Sequence, residues 1–434
     1  MRRLARAHAS ARRPRPRPHA PEGIARAALR AAGARARRAG ELAVSGREIE
    51  LAIDALAAGG EGVGRDAGGR VVFVPFAAPG DRLRVALGEE HPRFARAEIR
   101  EIVEPGAVRV AAPCPVFGRC GGCAWQHVAY AAQLDAKRAI VRDALARIGG
   151  IAAPEVAIVA SPSPYGYRGR TRVLAEGGRV GYRERRSHAL CATATCPILA
   201  PPLDAELGAL ASRGDVADGE WELALGAGGA VRVETLAAPS QQRLALEAAG
   251  ERFELSPGVF AQANALLQDA LARHVLEAAG QGGEALELFA GAGFFTLALA
   301  RRFARLTAVE SDARAVADLG RNLAAAGLRH VRVVEARAEV VLADAAAQRI
   351  APQVVVLDPP RGGVGAQASR RVARLPAHRV VHVSCDPATL ARDLRELLAR
   401  GFALTEVTAF DLFPQTPHVE TVALLERAPL RRAG

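Results

Sequence analysis

The chain has 434 residues, more than the roughly 100 to 200 of a typical single domain, so two or three domains are expected. No apolar stretch approaches the roughly 20 residues that a membrane span requires, which argues against a membrane-embedded protein. The formal net charge of +12 comes almost entirely from residues 1–40, which hold twelve arginines and one acidic residue, Glu22. Net charge is therefore weak support for nucleic-acid binding by the folded part of the chain.

Residues 1–45 are rich in arginine, alanine and proline and show no apolar periodicity. Because prolines at 14, 16, 18 and 21 interrupt any helix, we expect this tail to be disordered. An RNA-contacting arm and an organellar transit peptide are the alternatives, although the prolines and the scarcity of serine argue against the second.

Residues 46–105 alternate short β-type runs with turns rich in glycine and proline. The runs cover residues 49–53, 71–75, 83–87 and 97–103. This alternation is typical of a small β-barrel.

Six cysteines occur in the chain, at positions 114, 120, 123, 191, 196 and 385. Cys114, Cys120 and Cys123 fall within ten residues, and the Gly-Gly pair between the last two lets the backbone approach a bulky centre. Cys196, which precedes a proline, is a better fourth ligand than Cys191. Four thiolates suit either tetrahedral zinc or a [4Fe-4S] cluster, and the spacing leaves that choice open.

Apolar spacing predicts a helix over residues 131–148, and residues 155–250 alternate strand-like runs with glycine turns, as in an antiparallel insert. From Gln262 onward, helices alternate with buried apolar strands. That alternation predicts a parallel α/β domain at the end of the chain.

The first strand of this domain runs into a turn that contains Gly291 and Gly293, where a ligand can approach the backbone closely. The next strand, residues 306–309, ends at Glu310, whose carboxylate can accept the hydroxyls of a ribose. Dinucleotide binding is the obvious rival, but Thr296 stands where the third glycine of that pattern is expected. The turn therefore favours S-adenosylmethionine over NAD.

Asp358 begins the sequence Asp-Pro-Pro-Arg directly after the strand 354–357. The prolines stiffen the loop and hold the carboxylate toward the ligand crevice. A simple strand-terminating turn is the alternative. The loop also resembles one found in amino-methyltransferases, but Arg361 replaces the aromatic residue that stacks on the base there.

Cys385 follows the apolar run 379–383 and precedes a helix, a position that suits a nucleophile. C5 of uracil is too weakly nucleophilic to accept a methyl group unaided. Addition of a thiolate to C6 activates C5, and a base must afterwards remove the C5 proton. Cys385 and Glu420 fit these two roles, although either residue alone could be a small buried side chain or a solvated charge.

Together these motifs resemble the RNA uracil-C5 methyltransferase family, which forms 5-methyluridine, over residues 46–427. The resemblance implies a multidomain α/β chain. It would consist of an N-terminal TRAM domain, an OB-like RNA-binding β-barrel, at 46–105, a central α+β domain with the cysteine loop at 106–255, and a Rossmann-like class I methyltransferase domain at 256–434.

The same resemblance assigns site residues. Cys385 is the nucleophile in Ser-Cys-Asp-Pro-Ala-Thr-Leu, and Glu420 is the base in His-Val-Glu. The expected contacts of S-adenosyl-L-methionine are Gln262, Phe289, Gly291, Gly293, Glu310 and Asp358. The expected [4Fe-4S] ligands are Cys114, Cys120, Cys123 and Cys196. The family usually has asparagine where Phe294, Asp386 and Gly169 stand in this chain.

The implied partner is RNA, with 23S rRNA favoured over tRNA, and the target nucleotide must leave its stack to reach Cys385. A cytoplasmic monomer is expected. The alternatives are a tRNA uridine-C5 methyltransferase, an RNA-binding or ribosome-assembly factor with a vestigial catalytic domain, and an amino-methyltransferase.

Overall fold

A computed structural model describes residues 47–152, 155–346 and 348–427. The tail that the sequence predicts to be disordered, residues 1–45, lies outside these described residues. The described strands form a closed barrel, a five-stranded sheet, a two-stranded hairpin and an eight-stranded sheet. These assemblies follow one another broadly in the order that the sequence predicts.

The barrel confirms the predicted alternation of short strands. Its strands close in the order β1-β2-β3-β5-β4, and alternate side chains such as Leu51, Ile53, Leu83 and Val85 fill its interior. The strands are β1 (Glu48–Leu56), β2 (Gly62–Arg65), β3 (Val71–Val74), β4 (Arg82–Glu90) and β5 (Phe94–Glu104).

The central region is an antiparallel sheet in the order β11-β10-β7-β8-β9, as the glycine-punctuated strands predict. Helix α2 buries Leu203, Leu207 and Leu210 against Val173 and Leu223 of this sheet. Its elements are β7 (Arg170–Glu176), β8 (Arg179–Arg183), β9 (Leu190–Ala192), α2 (Pro201–Arg213), β10 (Gly219–Leu225), a short 3-10 turn (Ala227–Gly229) and β11 (Val231–Thr235). A hairpin of β12 (Leu244–Ala248) and β13 (Glu251–Leu255) follows.

The eight-stranded sheet has the order β16-β15-β14-β17-β18-β20-β19-β6. Its strands are β6 (Ala157–Val159), β14 (Gly282–Leu288), β15 (Phe303–Glu310), β16 (Val331–Glu335), β17 (Val354–Leu357), β18 (Arg379–Ser384), β19 (Phe402–Phe410) and β20 (Glu420–Arg427). The helices around it are α1 (Tyr130–Arg147), α3 (Gln268–Ala279), α4 (Thr296–Ala300), α5 (Ala313–Ala325), α6 (Ala338–Ala343), α7 (Ala366–Val372) and α8 (Pro387–Leu398).

The chain passes from β14 outward to β15 and β16 and then returns to β17 on the other side of β14. This reversal is a topological switch point, and open α/β sheets bind ligands outside the carboxyl ends of the strands at such a point. Apolar clusters cover both faces of the sheet. The Rossmann-like architecture of the catalytic domain is confirmed.

The predicted parallel arrangement holds for β14 to β18 and is interrupted at β20, which pairs antiparallel with both β18 and β19. The connection 411–419 is shorter than the roughly twelve residues that a parallel crossover needs, so the last strand returns in the opposite direction.

Two elements inside the predicted central domain complete the catalytic sheet. Strand β6 pairs parallel with β19, and α1 packs Val141 and Leu145 into the same apolar cluster as Leu390 and Leu394 of α8. The predicted limits at residues 105 and 255 stay predictions, since the elements on either side of them share cores. None of the helices in the described part of the chain is long and apolar enough to cross a membrane.

Candidate functional site

Four predicted site residues lie at one edge of the catalytic sheet. Glu310 is the last residue of β15. The other three directly follow a strand: Phe289 follows β14, Asp358 follows β17 and Cys385 follows β18. These strands pair in parallel, and Leu288 stands opposite both Val309 and Leu357. The carboxyl ends therefore meet, and the sheet brings the four residues together.

The glycine turn after β14 has an unusual backbone. Phe289 has a φ of 65°, and Gly291 and Gly293 have φ values of 55° and 106°, in the left-handed region that L side chains rarely adopt. A Cβ on Gly293 would lie 2.6 Å from Leu297 Cδ1. The tight turn leaves the Gly291 amide free to donate to Glu310 Oε2 at 2.9 Å.

Three backbone amides orient the Glu310 carboxylate. Besides Gly291, the amides of Ser311 and Asp312 donate to Oε1 at 2.6 and 2.8 Å. The half-buried carboxylate is therefore fixed at the mouth of the crevice, where its remaining acceptor capacity can bind hydroxyl donors.

Two carboxyl groups, those of Asp358 at this edge and of Glu287 within β14, are poorly solvated. Burial raises the pKa of Asp358 to about 7. It also raises the pKa of Glu287 to about 8, and the charges of Asp358 and Glu310 add to that shift. Within the described residues, neither carboxyl oxygen of Glu287 has a partner in hydrogen-bond geometry, and the neighbouring Thr296 hydroxyl offsets the rise in its pKa only in part.

The sequence reasoning missed Glu287. The signal was available, because a carboxylate inside the apolar run of β14 is costly to bury unless it has a role or a partner.

Cys385 lies between the end of β18 and the first turn of α8 and is half-buried. Burial raises the pKa of its thiol to about 11, and the charge of Glu420 adds to this increase, whereas Arg361 opposes it. Asp386, where the family usually has asparagine, caps α8 by accepting from the amides of Ala388 and Thr389 at 2.9 and 3.0 Å. An asparagine side chain would offer the same acceptor oxygen, so this departure preserves the cap.

Glu420 is the first residue of β20 and is only 4% exposed. Thr421 stands opposite Ser384 in the antiparallel register, which places Glu420 beside Cys385. Burial, followed by the charge of Asp358, raises the pKa of Glu420 well above its ordinary value. Glu420 Oε1 makes no hydrogen bond to any residue that the structure describes.

Arg361 brings a cation to this acidic site. Its Nη2 lies 3.0 Å from both ring nitrogens of His418, two residues before Glu420. Burial and the charge of Arg361 lower the pKa of His418 to about 4, so the imidazole is neutral at physiological pH.

The other two departures from the family pattern are also accommodated. Phe294 packs edge-to-face on Phe253 and Phe295, with ring centroids 6.2 and 4.7 Å apart. At Gly169, a Cβ would lie 2.9 Å from the Cβ of Ala265. Gln262 is buried and lines a small cavity of about 20 Å³ with Arg170 and Arg232, and its contact with the donor stays a prediction.

The predicted cluster cysteines line one cavity of about 100 Å³, formed by Cys114, Cys120, Cys123 and Cys196. Burial raises the pKa of Cys120 and of Cys123 to about 12. Cys191 is buried apart from this cavity, and Arg119 Nε donates to its sulfur at 3.3 Å. In the described ranges no group of three or more His, Cys, Asp or Glu side chains is arranged to hold a metal ion. The four thiols therefore share a cavity without forming a closed single-ion site.

Comparison with known proteins gives matches over most of the chain. The sequence pattern described as tRNA (Uracil-5-)-methyltransferase matches residues 239–428, and that of the TRAM domain matches residues 43–99. A 23S rRNA (uracil(1939)-C(5))-methyltransferase of Halomonas elongata is 34% identical over 87% of this chain and 89% of its own length. An uncharacterized RNA methyltransferase of Gloeobacter violaceus is 32% identical over 89% of this chain and 98% of its own length.

Among solved structures, the Pyrococcus abyssi tRNA (uracil-54, C5)-methyltransferase in complex with S-adenosyl-L-homocysteine superimposes with a TM-score of 0.67. It is 24% identical, and the match covers 87% of this chain and all of that one. At this identity the likeness establishes the fold.

The pKa of Glu287 generates a prediction about stability. A carboxyl group whose pKa rises on folding binds more protons in the native than in the unfolded state between pH 4.5 and about 8, so stability falls as pH rises through that window. Because one pKa unit is worth about 1.4 kcal/mol, Glu287→Gln should stabilise the protein by at least about 1 kcal/mol more at pH 8 than at pH 5.

Thermal unfolding of the full chain at both pH values measures this difference. Glu277→Gln, at an exposed position of α3, controls for the change in net charge. A difference between the two pH values that is the same for both variants would contradict the burial of an ionisable Glu287.

Proposed function

The chain belongs to the RNA uracil-C5 methyltransferase family. We propose that it methylates a uridine of 23S rRNA through Cys385 and Glu420, with S-adenosylmethionine as methyl donor. The observation that carries the proposal is the β18–β20 register, which sets a thiol beside a carboxyl group of raised pKa. The choice of 23S rRNA rests on relatives of that name, about one third identical over most of the chain.

In the proposed reaction Cys385 loses its proton to solvent, and Arg361 favours the thiolate. The thiolate adds to C6 of the extruded uracil, a sulfur–carbon bond forms, and the π electrons of the C5–C6 bond become available at C5. S-adenosylmethionine would supply the methyl group that C5 accepts, and its sulfonium would leave as the neutral thioether of S-adenosylhomocysteine. Glu420 then removes the C5 proton, the C5–C6 double bond re-forms, and the Cys385–C6 bond breaks to restore the thiolate.

A carboxylate of raised pKa accepts a carbon-bound proton more readily than an ordinary one, provided that Glu420 is ionised when the step begins. Its position at the start of a sheet strand fixes its backbone beside Cys385, and its side chain is almost completely buried.

We assign the donor site to the crevice at the switch point. Phe289, Gly291 and Gly293 provide the turn, Glu310 the acceptor for ribose hydroxyls, and Asp358 a carboxylate next to the reacting centre. Gln262 completes the predicted set from the loop between β13 and α3. The crevice is acidic, which would stabilise a positively charged sulfonium donor.

We also propose that Cys114, Cys120, Cys123 and Cys196 hold a [4Fe-4S] cluster. Four thiols around a cavity of about 100 Å³ supply the donor set that such a cluster needs, and a polynuclear centre fills more space than one ion. Zinc is the alternative that the donor set leaves open. The cytoplasmic location and the monomeric state that the sequence suggests remain predictions.

Substitution of Cys385 and substitution of Glu420 should have opposite effects on the amount of covalent protein–RNA adduct. Cys385→Ala should abolish both methylation and any covalent protein–RNA species. In Glu420→Gln the bond between Cys385 and C6 should still form, and C5 should still accept the methyl group. The adduct should then persist, because its C5 proton is not removed. A denaturing gel of protein incubated with RNA and donor measures the adduct as a band of reduced mobility.

Turnover by Cys385→Ala would contradict nucleophilic catalysis by this thiol. The absence of a shifted band with Glu420→Gln, alongside an intact far-UV spectrum, would remove Glu420 from the role of base.

The RNA substrate is tested with radiolabelled S-adenosylmethionine and separate pools of unmodified 23S rRNA and tRNA. We expect label to appear as 5-methyluridine in the 23S rRNA digest. Label in tRNA alone would replace the rRNA proposal with the tRNA alternative, and label on an exocyclic nitrogen would contradict carbon methylation.

The cluster has its own readout. Anaerobically purified protein should contain about four iron and four sulfide per chain and absorb in the visible range. The variant Cys123→Ser should lose the iron, the sulfide and the visible absorption, whereas Cys191→Ser should retain all three. Bound zinc without iron would contradict the cluster and support the tetrahedral alternative.

A further inference from the structure

Lys137 is the only lysine in the sequence. It lies on α1 and is 0% exposed. Its Nζ donates to Asp411 Oδ1 and, at 2.9 Å, to the carbonyl of Phe413. A buried ammonium is costly unless it is paired, so this residue ties α1 to the segment just after β19.

Gln133 lies one helical turn before Lys137, on the same face of α1. Its Nε2 donates to Gln415 Oε1 at 3.0 Å, and its Oε1 accepts from the amide of Gln415 at 2.9 Å. Gln415 is 2% exposed and has a φ of 68°, a left-handed conformation that a side-chain-bearing residue keeps only when its surroundings hold it.

A third contact holds the residue between these two. The hydroxyl of Tyr167, which is fully buried, donates to the carbonyl of Pro414 at 2.9 Å. The carbonyl of Gln415 in turn accepts from the amides of Ala124 and Trp125, both at 3.0 Å. The backbone carbonyls of three successive residues, 413 to 415, are thus fixed by side chains or amides from residues 124–167.

This fixed segment precedes β20, whose first residue is Glu420, by only the four residues 416–419. Cys385 is carried by a different junction, between β18 and α8. The contacts from Gln133, Lys137 and Tyr167, which we call the clamp, therefore act on the chain segment of Glu420 and not on that of Cys385.

We propose that the clamp positions Glu420 for removal of the C5 proton, so that Gln133, Lys137 and Tyr167 are positioning residues for the second half of the reaction. The inference rests on the proposed role of Glu420 as base. A general base must lie within hydrogen-bond reach of the proton that it removes, and a small displacement is enough to slow the step.

Tyr167→Phe gives the sharpest test, since it removes one hydroxyl and keeps the buried ring. In single-turnover experiments with RNA and labelled donor, we expect adduct formation at close to the wild-type rate. Resolution of the adduct to methylated RNA should be about 10- to 100-fold slower, and adduct should accumulate on a denaturing gel. Gln133→Leu should behave in the same way.

Thr408→Val is the matched control. It also removes one buried hydroxyl, in this case from β19, where Thr408 Oγ1 donates to Glu406 at 2.8 Å, and it leaves the clamp untouched. We expect wild-type kinetics for both halves of the reaction.

Lys137→Met separates positioning from stability when it is combined with Asp411→Leu. The single variant leaves Asp411 buried without its cation and should lower the melting temperature, and the double variant should recover part of that loss because neither charge remains. Slow resolution should persist in the double variant, since the contact with the Phe413 carbonyl is still absent.

The clamp is excluded if Tyr167→Phe and Gln133→Leu resolve the adduct at the wild-type rate, or if both halves of the reaction slow equally in proportion to a lower melting temperature. Glu420→Gln serves as the internal standard. If it accumulates adduct while the clamp variants resemble wild type, only the clamp fails. If it accumulates none, the assignment of the base itself fails.

Discussion

Strand β20 runs antiparallel to β18, and Thr421 stands opposite Ser384. Cys385, which follows the carboxyl end of β18, therefore faces Glu420 at the amino end of β20. A fully parallel sheet would place the amino end of the last strand at the far edge, away from the crevice. The reversed strand instead delivers Glu420 to the edge where Phe289, Asp358 and Cys385 already meet. The short connection 411–419 enforces the reversal, so the geometry of the site follows from the length of one loop.

The electrostatics of this edge follow from the same placement. Glu287, Asp358 and Glu420 are poorly solvated carboxyl groups with raised pKa values, so all three would ionise together only at considerable cost. Such a site favours a cationic ligand, and it opposes formation of the Cys385 thiolate until a positive charge compensates. Arg361 provides part of that compensation. If a cationic donor binds at this edge, its charge would therefore also lower the cost of ionising the Cys385 thiol.

The local sequence was sufficient to predict the barrel, the helix after the cysteine loop, the glycine turn and the strand that precedes Cys385. Apolar periodicity and the residues that form turns are both local properties of the sequence. It also singled out Cys385 and Glu420, whose neighbours form a specific motif and which the structure brings to the same end of the sheet; their catalytic roles stay predictions. It did not find the reversed strand, the contribution of β6 and α1 to the catalytic sheet, or Glu287. Strand direction and sheet neighbours depend on contacts between segments distant in sequence, which no local pattern encodes. Glu287 was visible as a charge in an apolar run, but its meaning depends on burial.

The single lysine shows how composition and structure together carry information that neither carries alone. Apart from Lys137, all lysine-or-arginine positions of the chain hold arginine, including those in buried ion pairs such as Arg232 with Glu222. A planar guanidinium with five donors suits a forked carboxylate partner, whereas a compact ammonium suits acceptors that converge on one point. At position 137 the acceptors are one carboxylate oxygen and one backbone carbonyl, inside a fully buried pocket. An arginine there would bring more donors than these two contacts use and a larger head group to enclose, so the geometry of the Asp411–Phe413 segment accounts for the lysine.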